Sequence, residues 1–150
     1  MSRVQLALRV ADLDRAVEFY TRLFATPPAK RHPGYANFAI AEPPLKLVLI
    51  EGAASEPTRL DHLGVEVESA AAVDAAAQRL SASELSTRVE DATTCCYAVQ
   101  DKVWVTGPGG EPWEVYTVLA DADVPGGCDC STATATETVT AEAAAGTTCC

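Results

Sequence analysis

A chain of 150 residues with 48% hydrophobic and 21% charged residues has the size and composition of one globular domain. Its net charge of −10 repels phosphate backbones and anionic lipid, so neither nucleic acid nor a membrane is expected as a partner. No apolar run approaches the roughly 18 residues that span a bilayer, and the start M-S-R-V-Q-L has no export-signal pattern. A cytoplasmic setting with reduced thiols is therefore expected.

In chain order, Val4 to Val10 (V-Q-L-A-L-R-V) alternates apolar and polar residues as a half-buried strand does. Asp12 can cap a following helix whose Leu13, Ala16, Val17, Tyr20, Leu23 and Phe24 recur at helical spacing. A middle strand over Ala36 to Ile40 precedes a strong one, P-L-K-L-V-L-I from Pro44. The pattern then repeats. Asp61 to Val67 (D-H-L-G-V-E-V) alternates again, Ser69 can cap a helix facing inward with Val73, Ala76, Ala77 and Leu80, and P-W-E-V-Y-T-V from Pro112 closes the second half after a middle strand in Tyr97 to Thr106. Setting Gln5 against His62 aligns Leu6 with Leu63, Leu8 with Val65 and Val10 with Val67. The expected fold class is α+β: paired βαβββ modules, about residues 3–52 and 60–119, sharing a cupped mixed sheet.

The halves differ in one interval. The second runs about 11 residues longer between its helix and last strand, and Cys95 and Cys96 lie in that interval, in what reads as a loop added to the module. Beyond residue 119 the composition changes. Residues 120–150 are low-complexity, with five acids and no Lys or Arg, which leaves 16 of the 21 acids against all 11 bases in residues 1–119. Such a segment buries too little apolar surface to offset its ordering entropy and is expected to be a disordered tail. Its Cys128, Cys130, Cys149 and Cys150 are candidates for soft metals or metalloids.

Every second residue of a strand faces the same side, so each strand can contribute one ligand to a shared cavity. By pseudo-symmetry Gln5 and His62 occupy equivalent places, as do Lys46 and Glu114. One imidazole, one carboxylate and one amide oxygen form a three-donor metal site with open positions, suited to Fe(II) or Mn(II); a strand histidine that is merely hydrogen-bonded is the competing role for His62. Lys46 cannot readily ligate, which leaves the fourth symmetric place to water or substrate. Cys95 and Cys96 make a poor mutual disulfide, since Cα atoms across one peptide are only about 3.8 Å apart. As two thiolates they form a soft chelate, with Lys102 or Arg88 as candidates to favour the charged form. Tyr97 and Trp104 are candidate pocket walls, and Lys102 a candidate cover at its mouth. The run G-P-G-G from Gly107 lacks the Lys-Ser/Thr of a phosphate loop and reads as a turn.

Strand V-Q-L-A-L-R-V with helix D-L-D-R-A-V-E-F-Y-T-R-L-F, then L-D-H-L-G-V-E-V and G-P-G-G-E-P-W-E-V-Y, resembles the glyoxalase, bleomycin-resistance and extradiol dioxygenase superfamily, the vicinal oxygen chelate proteins, over Val4 to Val118. Within it, T-T-C-C-Y-A-V-Q-D-K-V-W-V and the cysteine-bearing tail resemble the carbon-arsenic lyases, also called cadmium-induced proteins. The resemblance implies metal ligands at Gln5, His62 and Glu114, with Gln standing where many members have His. It further implies a nonheme iron dioxygenase acting as a lyase, with Fe(II) as cofactor and O2 as co-substrate. Cys95 and Cys96 would capture a trivalent organoarsenical, methylarsonous acid or an aryl arsenical, with Tyr97 and Lys102 nearby, and arsenite would be released. Two other readings stand beside it: sequestration of arsenic or cadmium without catalysis, and a glyoxalase-like Zn(II) or Ni(II) isomerase. A homodimer is left open.

Overall fold

The computed structural model describes residues 2–124, and the expected tail lies outside them apart from its first residues. The elements follow the order β1 (Arg3–Val10), α1 (Leu13–Phe24), β2 (Lys30–His32), β3 (Tyr35–Ile40), β4 (Leu45–Glu51), β5 (Arg59–Glu66), α2 (Ala70–Ala82), β6 (Thr87–Cys95), β7 (Ala98–Thr106) and β8 (Pro112–Asp121). This is βαβββ twice. β8 runs past the expected boundary at residue 119 because Ala120 and Asp121 still pair with Val99 and Ala98.

Both helices start where a side chain can satisfy an orphan amide: Asp12 accepts from Arg15 N at 2.9 Å and Ser69 Oγ from Ala72 N at 3.2 Å. Leu13 and Val17 of α1 are buried, and Ala16, Tyr20 and Phe24 pack against the core with them. Leu23, expected inward, is 58% exposed, since it lies at the edge of the stripe centred on Leu13, Val17, Tyr20 and Phe24. The α1 side of the sheet buries Val10, Phe38, Leu47 and Leu49; the α2 side is a smaller cluster of Val73, Ala76, Leu80 and Val103.

All eight strands form one sheet in the order β2-β3-β4-β1-β5-β8-β7-β6. The modules join through antiparallel β1 and β5, and each closes through a parallel pair, β1 with β4 and β5 with β8. β2 and β6 are opposite edges of that order, yet His32 in β2 stacks on Tyr97, just beyond β6, with ring centroids 3.8 Å apart. The sheet is therefore curled, with the helices outside and a cup inside.

Candidate functional site

Two rows of side chains cross the inner face. In the first, Gln5 pairs with Lys46 on one side and Gly64 on the other, Gly64 with Glu114, and Glu114 with Trp104. The second runs from Arg3 through Glu66 and Tyr116 to Lys102. An inner face this polar is buried only because its members satisfy one another. Gln5, His62 and Glu114 are 4%, 3% and 2% exposed.

The three expected ligands converge. Gln5 Nε2 donates to Glu114 Oε1 at 2.7 Å and lies 3.0 Å from His62 Nε2, and His62 Nε2 is 3.5 Å from Glu114 Oε1. The Gln5 amide turns its nitrogen to the other two side chains, and its oxygen, the atom able to ligate a metal, accepts from the Tyr116 hydroxyl. Among the described residues no three His, Cys, Asp or Glu side chains gather around a point; the trio here is completed by an amide.

Each ligand is oriented from behind. His62 Nδ1 lies 2.7 Å from Asp61 Oδ2, and Arg9 Nε donates to Asp61 Oδ1 at 2.6 Å. With Nδ1–H given to Asp61, loss of the Nε2 proton presents that nitrogen's lone pair to the cup, the arrangement common behind metal-bound histidines. Asp61 is adjacent to His62 and in a regular strand would face away. A β-bulge prevents that: Ala7 pairs with His62 and Leu8 with Leu60, so Asp61 is the extra residue. Trp104 packs edge-on against the His62 ring at 5.5 Å.

Lys102 Nζ donates to Glu114 Oε2 at 2.8 Å, which leaves Oε1 to face Gln5 and His62. Lys102 is thus not a cover at the mouth: it lies in β7, 1% exposed, because alternate residues of that strand point into the cup. Burial pushes the Glu114 carboxyl up, but the Lys102 charge and the His62 hydrogen bond outweigh it and hold the group down to about 2. Burial likewise lowers His62, and its hydrogen bonds to Asp61 and Glu114 more than compensate, raising it to about 9. Without metal, the centre is an imidazolium–carboxylate pair near neutral pH. Lys102→Met leaves Glu114 Oε2 without its buried donor while His62 and Gln5 still hold Oε1, so the metal-free variant is expected to lose about 1–3 kcal/mol of stability. Urea unfolding with and without Mn(II) checks this, with part of the loss recovered in metal.

Gly64 sits between two ligands. A Cβ there would lie 3.1 Å from Glu114 Cγ and 3.3 Å from both Gln5 Cβ and Nε2. Gly64→Ala would push both ligand side chains outward, so metal affinity is expected to fall about 10-fold, the scale on which displaced ligand supports act, with little change in melting temperature. A Mn(II) titration and a thermal melt separate the two effects.

The cysteines are not in an added loop. The longer second half lengthens a hairpin: β6 and β7 have nine residues each, against three in β2 and six in β3. Cys95 pairs with Ala98 at the end of this hairpin, and Cys96 and Tyr97 are its two turn residues. Both have left-handed backbones, with φ of 54° and 61°, which a two-residue turn of this hand requires and which Asn-Gly usually supplies. Side chains larger than Gly pay a steric penalty there, so the tip must be held from outside. Tyr97 O accepts from Lys30 Nζ at 3.1 Å and from Ala122 N at 2.9 Å, while His32 stacks on the Tyr97 ring. Tyr97 packs on Ala7, Tyr35, Val48 and Ile50, with Cys96 beside it, so the tip arches over the inner face of the first module.

The Cys95 and Cys96 sulfurs are 3.4 Å apart, beyond the about 2.05 Å of a bond between them. Cys95 is 3% exposed and disulfide-bonded. Of the two cations expected near these thiols, Lys102 donates to Glu114, and Arg88 pairs with Glu90 at 3.1 Å and lies over Trp104. Lys46 is the cation whose field meets Cys96. Its Nζ lies 3.4 Å from Glu66 Oε2 and 5.0 Å over the Tyr116 ring. Burial lowers its pKa against the raising charges of Glu66 and Glu114.

The chain belongs to the glyoxalase/bleomycin resistance protein/dioxygenase superfamily, whose family model matches residues 3–115. Among curated relatives it is 65% identical over 151 residues, all of both chains, to a "trivalent organoarsenical cleaving enzyme" of Thermomonospora curvata. It is also 65% identical, over 82% of this chain and 80% of the other, to the "cadmium-induced protein CadI" of Mycobacterium bovis. The fold matches the Mn(II)-bound glyoxalase from Novosphingobium aromaticivorans with a TM-score of 0.58 at 22% identity, over 81% of this chain and 42% of that one. Among the described residues no helix is long and apolar enough to cross a membrane.

Proposed function

We propose that this protein cleaves the carbon–arsenic bond of trivalent organoarsenicals, methylarsonous acid and trivalent aryl arsenicals among them, and releases arsenite. The observation that carries the reading is the pairing of two features on one inner face: the convergent side chains of Gln5, His62 and Glu114, and a vicinal cysteine tip packed on Ala7, Val48 and Ile50. The full-length relative with an organoarsenical-cleaving name supports the substrate class. In this reading Gln5, His62 and Glu114 hold Fe(II), and O2 is the co-substrate. The chemistry Fe(II) supplies when bound in a site with open positions is activation of dioxygen.

The chain's own residues bind and orient. Cys95 and Cys96 replace the two hydroxyls of methylarsonous acid: each sulfur forms a bond to arsenic, each departing hydroxyl takes a thiol proton, and one water leaves per thiol. Both sulfurs must be thiols for this, so the disulfide at Cys95 is reduced before capture. A cytoplasmic setting supplies the reducing conditions. Asp61 keeps the proton of His62 on Nδ1, and Lys102 keeps one Glu114 oxygen occupied so that the other is presented singly. Tyr97 and Trp104, buried at the tip and beside His62, flank the carbon substituent and exclude water from it.

The test is anaerobic loading of the reduced protein with Fe(II) and methylarsonous acid, then admission of air and arsenic speciation by chromatography and mass spectrometry. Arsenite is expected only with both iron and oxygen. Organoarsenical that stays bound and intact would contradict cleavage and favour sequestration.

A further inference from the structure

We infer that Tyr116, backed by Glu66, is a positioning residue that sets which end of the Gln5 amide faces His62 and Glu114. The inference rests on the metal-site reading above. In the structure Gln5 turns Nε2 toward Glu114 and His62, and its Oε1 accepts from the Tyr116 hydroxyl at 2.6 Å. That same hydroxyl lies 2.9 Å from Glu66 Oε2. A phenol carries one proton, and both of these neighbours are acceptors. Only one of the two contacts can be a hydrogen bond, and the other opposes two oxygen lone pairs.

Rotating the amide by half a turn removes the conflict, because its oxygen and nitrogen occupy nearly equivalent positions. Gln5 Nε2 then donates to Tyr116, and Tyr116 donates to Glu66. Glu66 suits this role: Arg3 holds it through both carboxylate oxygens, and Lys46 lies 3.4 Å away, so it acts as an acceptor only. After rotation every proton in this relay has one acceptor. The same rotation puts Gln5 Oε1 opposite His62 Nε2 and Glu114 Oε1, so once the imidazole is neutral three lone pairs meet at one point. Without a cation they repel, and with a divalent cation they are a ligand set. The Tyr116–Glu66 pair biases the amide toward the metal-binding orientation before metal arrives.

The test is Mn(II) affinity, read from free Mn(II) by electron paramagnetic resonance, for Tyr116→Phe in two backgrounds. In the native background the variant is expected to bind about 10–100-fold more weakly, and in Gln5→Glu, whose carboxylate has the same donor at both ends, it should cost less than about threefold. Equal losses in the two backgrounds would mean that Tyr116 merely fills space, and no loss in the native one would equally overturn the inference. If Tyr116→Phe does not fold, Glu66→Gln serves instead: its amide can donate to Tyr116 and reverse the relay, so native Mn(II) affinity in that variant overturns the inference. His62→Ala is the separate control. Unchanged Mn(II) affinity there sinks the metal-site reading itself, whereas unchanged affinity in Tyr116→Phe alone sinks only the role of Tyr116.

Discussion

Replacing Cys95 and Cys96 together by serine is expected to cut arsenite release from methylarsonous acid by at least about 100-fold, the scale on which loss of a fixed reacting geometry acts. Mn(II) affinity and melting temperature should change little. Sulfur is the soft donor that trivalent arsenic prefers, and the tip holds two sulfurs 3.4 Å apart that reduction of the Cys95 disulfide makes available as a pair of thiols. Each single variant keeps one sulfur and should retain more activity than the pair. Loss of activity with intact metal binding separates a defect in arsenic capture from a collapse of the site. Turnover that survives the double replacement would show that the hairpin tip has no part in the reaction.

His62→Ala should abolish arsenite release and weaken Fe(II) or Mn(II) binding by more than the about 100-fold at which loss of a ligand's supporting partner usually tops out. Capture of methylarsonous acid by the reduced thiols should persist, because the tip is held by Lys30, His32 and Ala122 and not by the metal residues. This variant divides catalysis from sequestration. A sequestering protein would behave alike with and without His62, as judged by bound arsenic and its chemical form. The fold should survive the change, since Asp61 retains Arg9 and Glu114 retains Lys102 when the imidazole is gone.

What was readable in the sequence follows from periodicity. Alternation in V-Q-L-A-L-R-V and D-H-L-G-V-E-V marks the two central strands, and aligning them brings Gln5, His62 and Glu114 to one face, where the structure does gather them. Strand parity is a property of local sequence, so it survives without coordinates. The supporting residues are legible only in part. Asp61 reaches His62 through a bulge that breaks parity, and no local signal in L-D-H-L announces an unpaired residue. Glu66 and Tyr116 obey the same parity as the ligands, two residues along each strand from Gly64 and Glu114, and could have been found by asking what lies in the next row.

The Cys95–Cys96 segment misleads for a different reason. Its T-T-C-C-Y has no Gly or Asn, the usual marks of a two-residue hairpin, so it reads as a loop although it is a tight turn with two left-handed residues. What allows that turn is tertiary: Lys30, His32 and Ala122, all distant in sequence, fix the tip. Lys102 falls within the strand expected over Tyr97 to Thr106, and a strand residue of inward parity enters the cup where a loop residue could cover its mouth.

The most direct measurement is X-ray absorption at the arsenic edge of the reduced, Mn(II)-loaded protein with methylarsonous acid under anaerobic conditions. Two sulfur neighbours and one carbon per arsenic are predicted, with the sulfur signal lost in the Cys95→Ser/Cys96→Ser protein. Arsenic coordinated by oxygen alone, or sulfur coordination that persists in the double variant, would contradict the account.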